Sequence, residues 1–178
     1  MPRLSKVALL LVVMLVVSVG ALAQTPTPNP EMQKWEPLIG KWVGQEEQRT
    51  KPDGPWEKLS SEWEIRWMTG KFFVETPGKV RWANGRENSW TQIFGYDASR
   101  KTHFTTYFTN GGVVGTVTVL WTGMTSKWEG VDLAADGTRT SFRCTWVNSA
   151  DYRSMEATCE QLTDGKWWVN RKVKSTKQ

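Results

Sequence analysis

The stretch Gly40-Lys41-Trp42-Val43-Gly44 decides how this chain is read. Pro37-Leu38-Ile39 leads into it and the strand-like run Gln45–Thr50 follows. Downstream, segments rich in Val, Thr, Trp, Tyr and Phe alternate with turn residues. Those side chains suit a pleated, half-buried surface. The turns include Pro52-Asp53-Gly54-Pro55, Thr69-Gly70-Lys71, Asn84-Gly85, Asn110-Gly111-Gly112, Asn148-Ser149-Ala150-Asp151 and Thr163-Asp164-Gly165. Glycine, asparagine and aspartate there supply positive φ angles or side-chain hydrogen bonds. Counting segments gives about ten antiparallel strands, with no helical periodicity after Trp42.

Alternation assigns faces. Leu59, Trp63, Ile65 and Trp67 share one side of their strand, against Glu62, Glu64 and Arg66. Phe142, Cys144 and Trp146 oppose Arg139, Ser141 and Arg143, and Met155, Ala157 and Cys159 oppose Ser154, Glu156 and Glu160. Strands with one apolar and one polar face need two packed sheets or one closed barrel. Closure also removes exposed edges. The expected fold is all-β: a single antiparallel up-and-down barrel over 35–176, following a leader and a proline-rich linker. A barrel of more than eight strands has room for a small ligand.

Met1–Ala23 has the form of a secretory signal peptide: Arg3 and Lys6, an apolar core from Val7 to Val19, and a small-residue cleavage site at Ala21-Leu22-Ala23. The core is too short for an ordinary spanning helix of roughly 20 residues. Cleavage would leave Gln24 first. The first cysteine is Cys144, so none near the cleavage site could take a lipid. The leader takes with it two basic residues and no acidic one, leaving 21 against 18, net +3. That balance, without a basic stripe, gives no nucleic-acid footprint. Arg171, Lys172, Lys174 and Lys177 read as a solvated strand end. The segment 24–34 reads as an extended linker, with a short helical cap over Met32–Leu38 that contributes Trp35 and Leu38. No asparagine sits in Asn-x-Ser/Thr. This favours a bacterial source and a secreted or periplasmic address.

The Gly-x-Trp-x-Gly start, the series of ten strands and the Gly95-Tyr96-Asp97 strand end resemble the calycin barrels. The chain is more closely similar to a bacterial lipocalin-like family of unknown function. That family has a Leu-x-Gly-x-Trp-x-Gly start, a Gly-Tyr-Asp turn and a glycine-rich mid-chain hairpin. The likeness spans about Trp35 to Lys174. It departs at Thr69-Gly70-Lys71-Phe72-Phe73, where the family carries a glycine pair. The resemblance implies that Trp42 plugs the closed end, and that Arg171 from the last strand lies over its ring as a cation–π partner.

Twelve tryptophans stand out in the composition. They could fill a wide interior or wall an aromatic pocket. The candidates for such a wall are Trp63, Trp67, Trp90, Trp121 and Trp146, by parity and central position. Trp167 and Trp168 are neighbours, so one of them faces outward.

His103 is the only histidine, which excludes a three-histidine zinc site. Any Ser-His-Asp arrangement would have to use it, and no Gly-x-Ser-x-Gly elbow is present. Thr105 and Tyr107 share its face, while Phe104 and Phe108 share the other. If the histidine face is internal, His103 and Tyr107 give a pocket its polar end, with haem ligation by His103 as the extreme case. If the phenylalanines are internal, His103 is a surface residue. The second is the expectation. Cys144 and Cys159 have inward parity on adjacent strands, and export would allow a disulfide. A tight turn at Asn148–Asp151 would put them out of register and a wider one would align them, so both states stay open. The carboxylate pairs Glu46/Glu47, Glu62/Glu64 and Asp132/Asp136 need no catalytic explanation.

The function expected is non-covalent binding or carriage of a small apolar or planar ligand, without a resident cofactor, by a monomer or homodimer with no membrane anchor after cleavage. The alternatives are an interaction module with an aromatic outer face, and an enzyme using His103 and Tyr107 as acid–base groups.

Overall fold

The computed structural model describes residues 26–178; the stretches read from the sequence as a signal peptide and the start of a linker lie outside the described residues. A 3-10 helix, Pro30–Leu38, is followed by β1 (Gly40–Gln48), β2 (Glu57–Trp67), β3 (Val74–Trp82), β4 (Glu87–Asp97) and β5 (Thr102–Thr109). Then come β6 (Val114–Thr122), β7 (Thr125–Leu133), β8 (Arg139–Asn148), β9 (Ser154–Thr163) and β10 (Lys166–Lys177). Each strand pairs antiparallel with its sequence neighbours, and β1 pairs with β10 to close a ten-stranded barrel.

The helix begins earlier than expected, inside the stretch read as linker. The Asn29 side chain accepts from the Glu31 N–H at 3.0 Å, satisfying a free helix-start donor. Pro30 at the first position has no N–H to lose. The helix lies across the barrel end where β1 begins and β10 finishes, and acts as a cap. Met32, Trp35 and Leu38 are buried in one apolar cluster with Trp42, Ile65, Val74, Phe94 and Met155. The cap is tied down by polar contacts: Trp42 Nε1 donates to Leu38 O at 2.9 Å, Trp67 Nε1 to Glu36 Oε2 at 2.8 Å, and Lys177 Nζ to Pro37 O at 2.9 Å.

Two expectations are settled by register. The β8–β9 connection runs from Ser149 to Arg153, wider than a tight turn, and pairs Asn148 with Met155. Cys144 then falls opposite Cys159, and the two form a disulfide. On β5 the expected orientation is reversed. His103 is 3% exposed and Thr105 1%, whereas Phe104 and Phe108 are 37% and 50% exposed. The phenylalanines have apolar company outside: Phe104 and Phe73 both lie against Gly95 of β4, where any side chain would collide with them.

Candidate functional site: the barrel interior

The interior divides into two regions. The first, beneath the cap, is an aromatic mass. Trp35 packs against Phe94 with ring centroids 4.1 Å apart and meets Trp121 edge-on at 5.5 Å. Phe94 contacts Trp128 at 5.5 Å, and Trp128 contacts Trp146 at 5.6 Å. Trp42 and Trp63 are stacked, 6.3 Å apart and 7° from parallel. Among the tryptophans expected to wall a ligand, Trp63, Trp121 and Trp146 belong here. Trp67 instead sits at the rim, pinned to the cap through Glu36 with Lys71 Nζ 5.8 Å from its ring centre. Trp90 stands apart, opposite Gly78, whose missing side chain makes room for Trp63 and Trp90 on either side. Trp128 was not singled out from the sequence, although it alternates with Lys127 and Glu129 and so shares the inward parity.

His103 belongs to this region. Its Nδ1 accepts from Trp35 Nε1 at 3.3 Å, and its Nε2 has no hydrogen-bond partner and lies 3.9 Å from Glu31 Oε2. Burial is the main force holding the imidazole neutral, with help from the Lys34 charge; its pKa falls to about 4 against a small opposing pull from Glu31. The surroundings do not fit a haem. Trp35 and Tyr96, with ring centroids 6.2 and 5.0 Å from the imidazole, fill the space that a macrocycle would need.

The second region is a polar belt. The register carries one inward row across five strands: Thr76, Gln92, Tyr107, Gly115 and Asp132. Tyr107 does not point along the barrel. Its ring lies over Gly115, where a Cβ would overlap it, and its hydroxyl donates to Asp132 Oδ1 on the strand beyond. Burial pushes the Asp132 carboxyl above its usual range, while the Tyr107 hydrogen bond and Arg171 pull the other way. Burial, then the Asp132 charge, pushes the Tyr107 phenol strongly upward, so it remains a donor.

Arg171 also belongs to this region, which corrects the role expected for it. It does not lie over Trp42; its Nε and Nη2 reach Glu46 Oε2 at 2.7 and 2.5 Å. The cation nearest the Trp42 ring is Lys177, 6.0 Å from its centre. Arg171 faces Cys159 on β9 and Gln48 on β1, away from the capped end where Trp42 stands. Glu46 and Asp132 are the members that sequence reasoning dismissed. Their signal was parity: Glu46 alternates in phase with Trp42 and Gly44, and Asp132 in phase with Trp128.

His103 and Tyr107 share a face, but four residue steps along the strand separate them by about 13 Å, and each has its own partner. They do not converge on one group. Several inward polar atoms have no protein partner: the hydroxyls of Ser61, Thr76 and Thr105 and the indole N–H groups of Trp121 and Trp146. Buried polar groups of this kind are costly unless something bonds them. The interior is therefore a packed aromatic cluster with scattered donors, continuing into a charged belt.

A family model described as "Protein of unknown function (DUF1579)" matches residues 27–170. Among solved structures, that of Rv2717c from M. tuberculosis is similar at 17% identity and a TM-score of 0.63, covering 85% of this chain and 99% of that one. The S-type phycobiliprotein lyase CPES from Guillardia theta is similar at 11% identity and a TM-score of 0.54, covering 82% of this chain and 91% of that one. At these identities the likeness is one of fold. No curated protein matches the chain.

Proposed function

The chain belongs to the DUF1579 family of proteins of unknown function, and from that premise we propose that it binds and carries a small, flat, mostly apolar molecule inside its barrel. The reading extends to a calycin-type carrier that is exported by its leader and works outside the cytoplasm. The observation that supports it best is the set of unpartnered hydroxyl and indole donors set among inward-facing aromatic rings. An apolar wall with a few placed polar groups is the usual chemistry of a small-molecule pocket.

Native mass spectrometry of the protein purified from its own host, followed by denaturing analysis of what is released, tests the reading. A bound small molecule is expected. A bare chain whose tryptophan fluorescence is also unmoved by flat apolar probes would remove it.

A second reading rests on the outer face. Phe73 and Phe104 meet over Gly95, and Phe108 and Leu120 on the adjacent β5 and β6 are 50% and 56% exposed. Trp82 and Trp168 add no tryptophan patch to it: Arg86 lies 3.9 Å over the Trp82 ring and Arg49 lies beside Trp168. A homodimer in the same spectrum would favour an interaction module built on the phenylalanine face.

A further inference from the structure

We infer that the belt selects a cation: the molecule carried has a flat apolar body and a protonated amine, and Asp132 receives the ammonium. The inference rests on the carrier reading and adds the charge of its ligand.

Charge placement is the starting point. Among the described residues, the buried and half-buried inward positions of the strands carry Glu46, Asp132 and Arg171, with Lys177 at the capped rim bonded to Pro37 O. Arg171 is matched by Glu46, which is 4% exposed and receives two guanidinium nitrogens. Asp132 is then the inward carboxylate without a cation in direct contact; its hydrogen-bond partner is a phenol. A half-buried carboxylate that has only a neutral donor is partly under-compensated, and a cation beside it offsets the lost solvation.

The carboxylate is also aimed. Tyr107 can reach it only because β6 has glycine at position 115, so the phenol lies across that strand and holds Oδ1. The surroundings suit an ammonium carried on a ring. The Phe142 ring lies 6.5 Å from that of Tyr107, and aromatic faces attract cations. An anion entering here would meet two carboxylates and a guanidinium that is already engaged. Upward pressure on the Asp132 carboxyl from burial agrees with this account, because an arriving ammonium relieves it.

The test uses the full mature chain and three probes that share one naphthalene body: 2-naphthylmethylamine, 2-naphthylmethanol and 2-naphthylacetate. Binding is read by quenching of tryptophan fluorescence at neutral pH. The amine is expected to bind at least about tenfold more tightly than the alcohol, and the acid most weakly. In Asp132→Asn, which keeps an acceptor for Tyr107, the alcohol should bind as before and the advantage of the amine should vanish. Equal binding of amine and alcohol, tighter binding of the acid, or an amine preference that survives Asp132→Asn overturns the inference and leaves the carrier reading intact. Failure of all three probes strikes the carrier reading itself. If the variant does not fold, the charge comparison in the unmodified chain decides alone.

Discussion

The two ends of this barrel handle buried polar chemistry in opposite ways. Under the cap, the imidazole of His103 is kept neutral and spent on a single bond from Trp35. In the belt, charge is kept: Arg171 and Glu46 form an ion pair and Asp132 is left with a phenol. The difference is between an end that is packed and an end that is polar. The capped end is a core, where apolar contact holds the helix and the charged contacts of Glu36 and Lys177 stay at its rim. The belt carries more polarity than a core requires, and such excess is expected where a ligand is recognised.

The contrast can be broken most severely at Trp42. It is 1% exposed, stacked on Trp63 and bonded to Leu38. Trp42→Ala should cost about 4 kcal/mol, as expected for truncating a large buried aromatic, read as a lower urea midpoint. A cost under about 1 kcal/mol would mean that the cap and plug are not one core.

His103 sharpens the contrast through pH. The folded ring titrates near 4 and the unfolded ring near about 6.5. As pH falls from about 6.5 the unfolded chain takes up the proton first, so stability declines from that point until the folded ring also titrates. The loss should approach roughly 3 kcal/mol. His103→Gln, which keeps an acceptor for Trp35, should lack this component. Parallel pH profiles for the two proteins, measured by urea unfolding at pH 7.5 and 4.5, would acquit His103.

The smallest expected effect is at Gly115. Gly115→Ala should displace the Tyr107 ring and cost about 1–3 kcal/mol through overpacking. It should also weaken ligand binding without loosening the cap. Equal losses at both ends, followed by tryptophan fluorescence and ligand titration, would show that belt and cap are one unit.

The sequence made the strands and turns legible because both signals are local: alternation along each segment and Gly, Asn or Asp between segments. It failed where a residue's meaning depends on a neighbouring strand. Phe104 and Phe108 outrank His103 and Tyr107 in hydrophobicity, so apolar parity put the wrong face inside; the structure shows an interior polar enough to take Tyr107 and an outer Phe73 to shelter Phe104. The cysteine pairing turned on the width of one loop. Arg171 was assigned to Trp42 by resemblance, but its register on β10 brings it to Glu46. Trp67 had the right parity yet sits too near the strand end to face a ligand. Asp132 carried the inward parity of Trp128, but its partner Tyr107 lies two strands away, across Gly115.

The seam between β1 and β10 has a consequence in time. Trp42 stands opposite Lys177, so the first strand waits for the last. While the chain is being made, every intermediate has two unpaired strand edges, and the final pairing joins its most distant parts. Such non-local closure is slow and leaves those edges open to other chains. The closed wall therefore comes into being only once β10 has been made and has met β1.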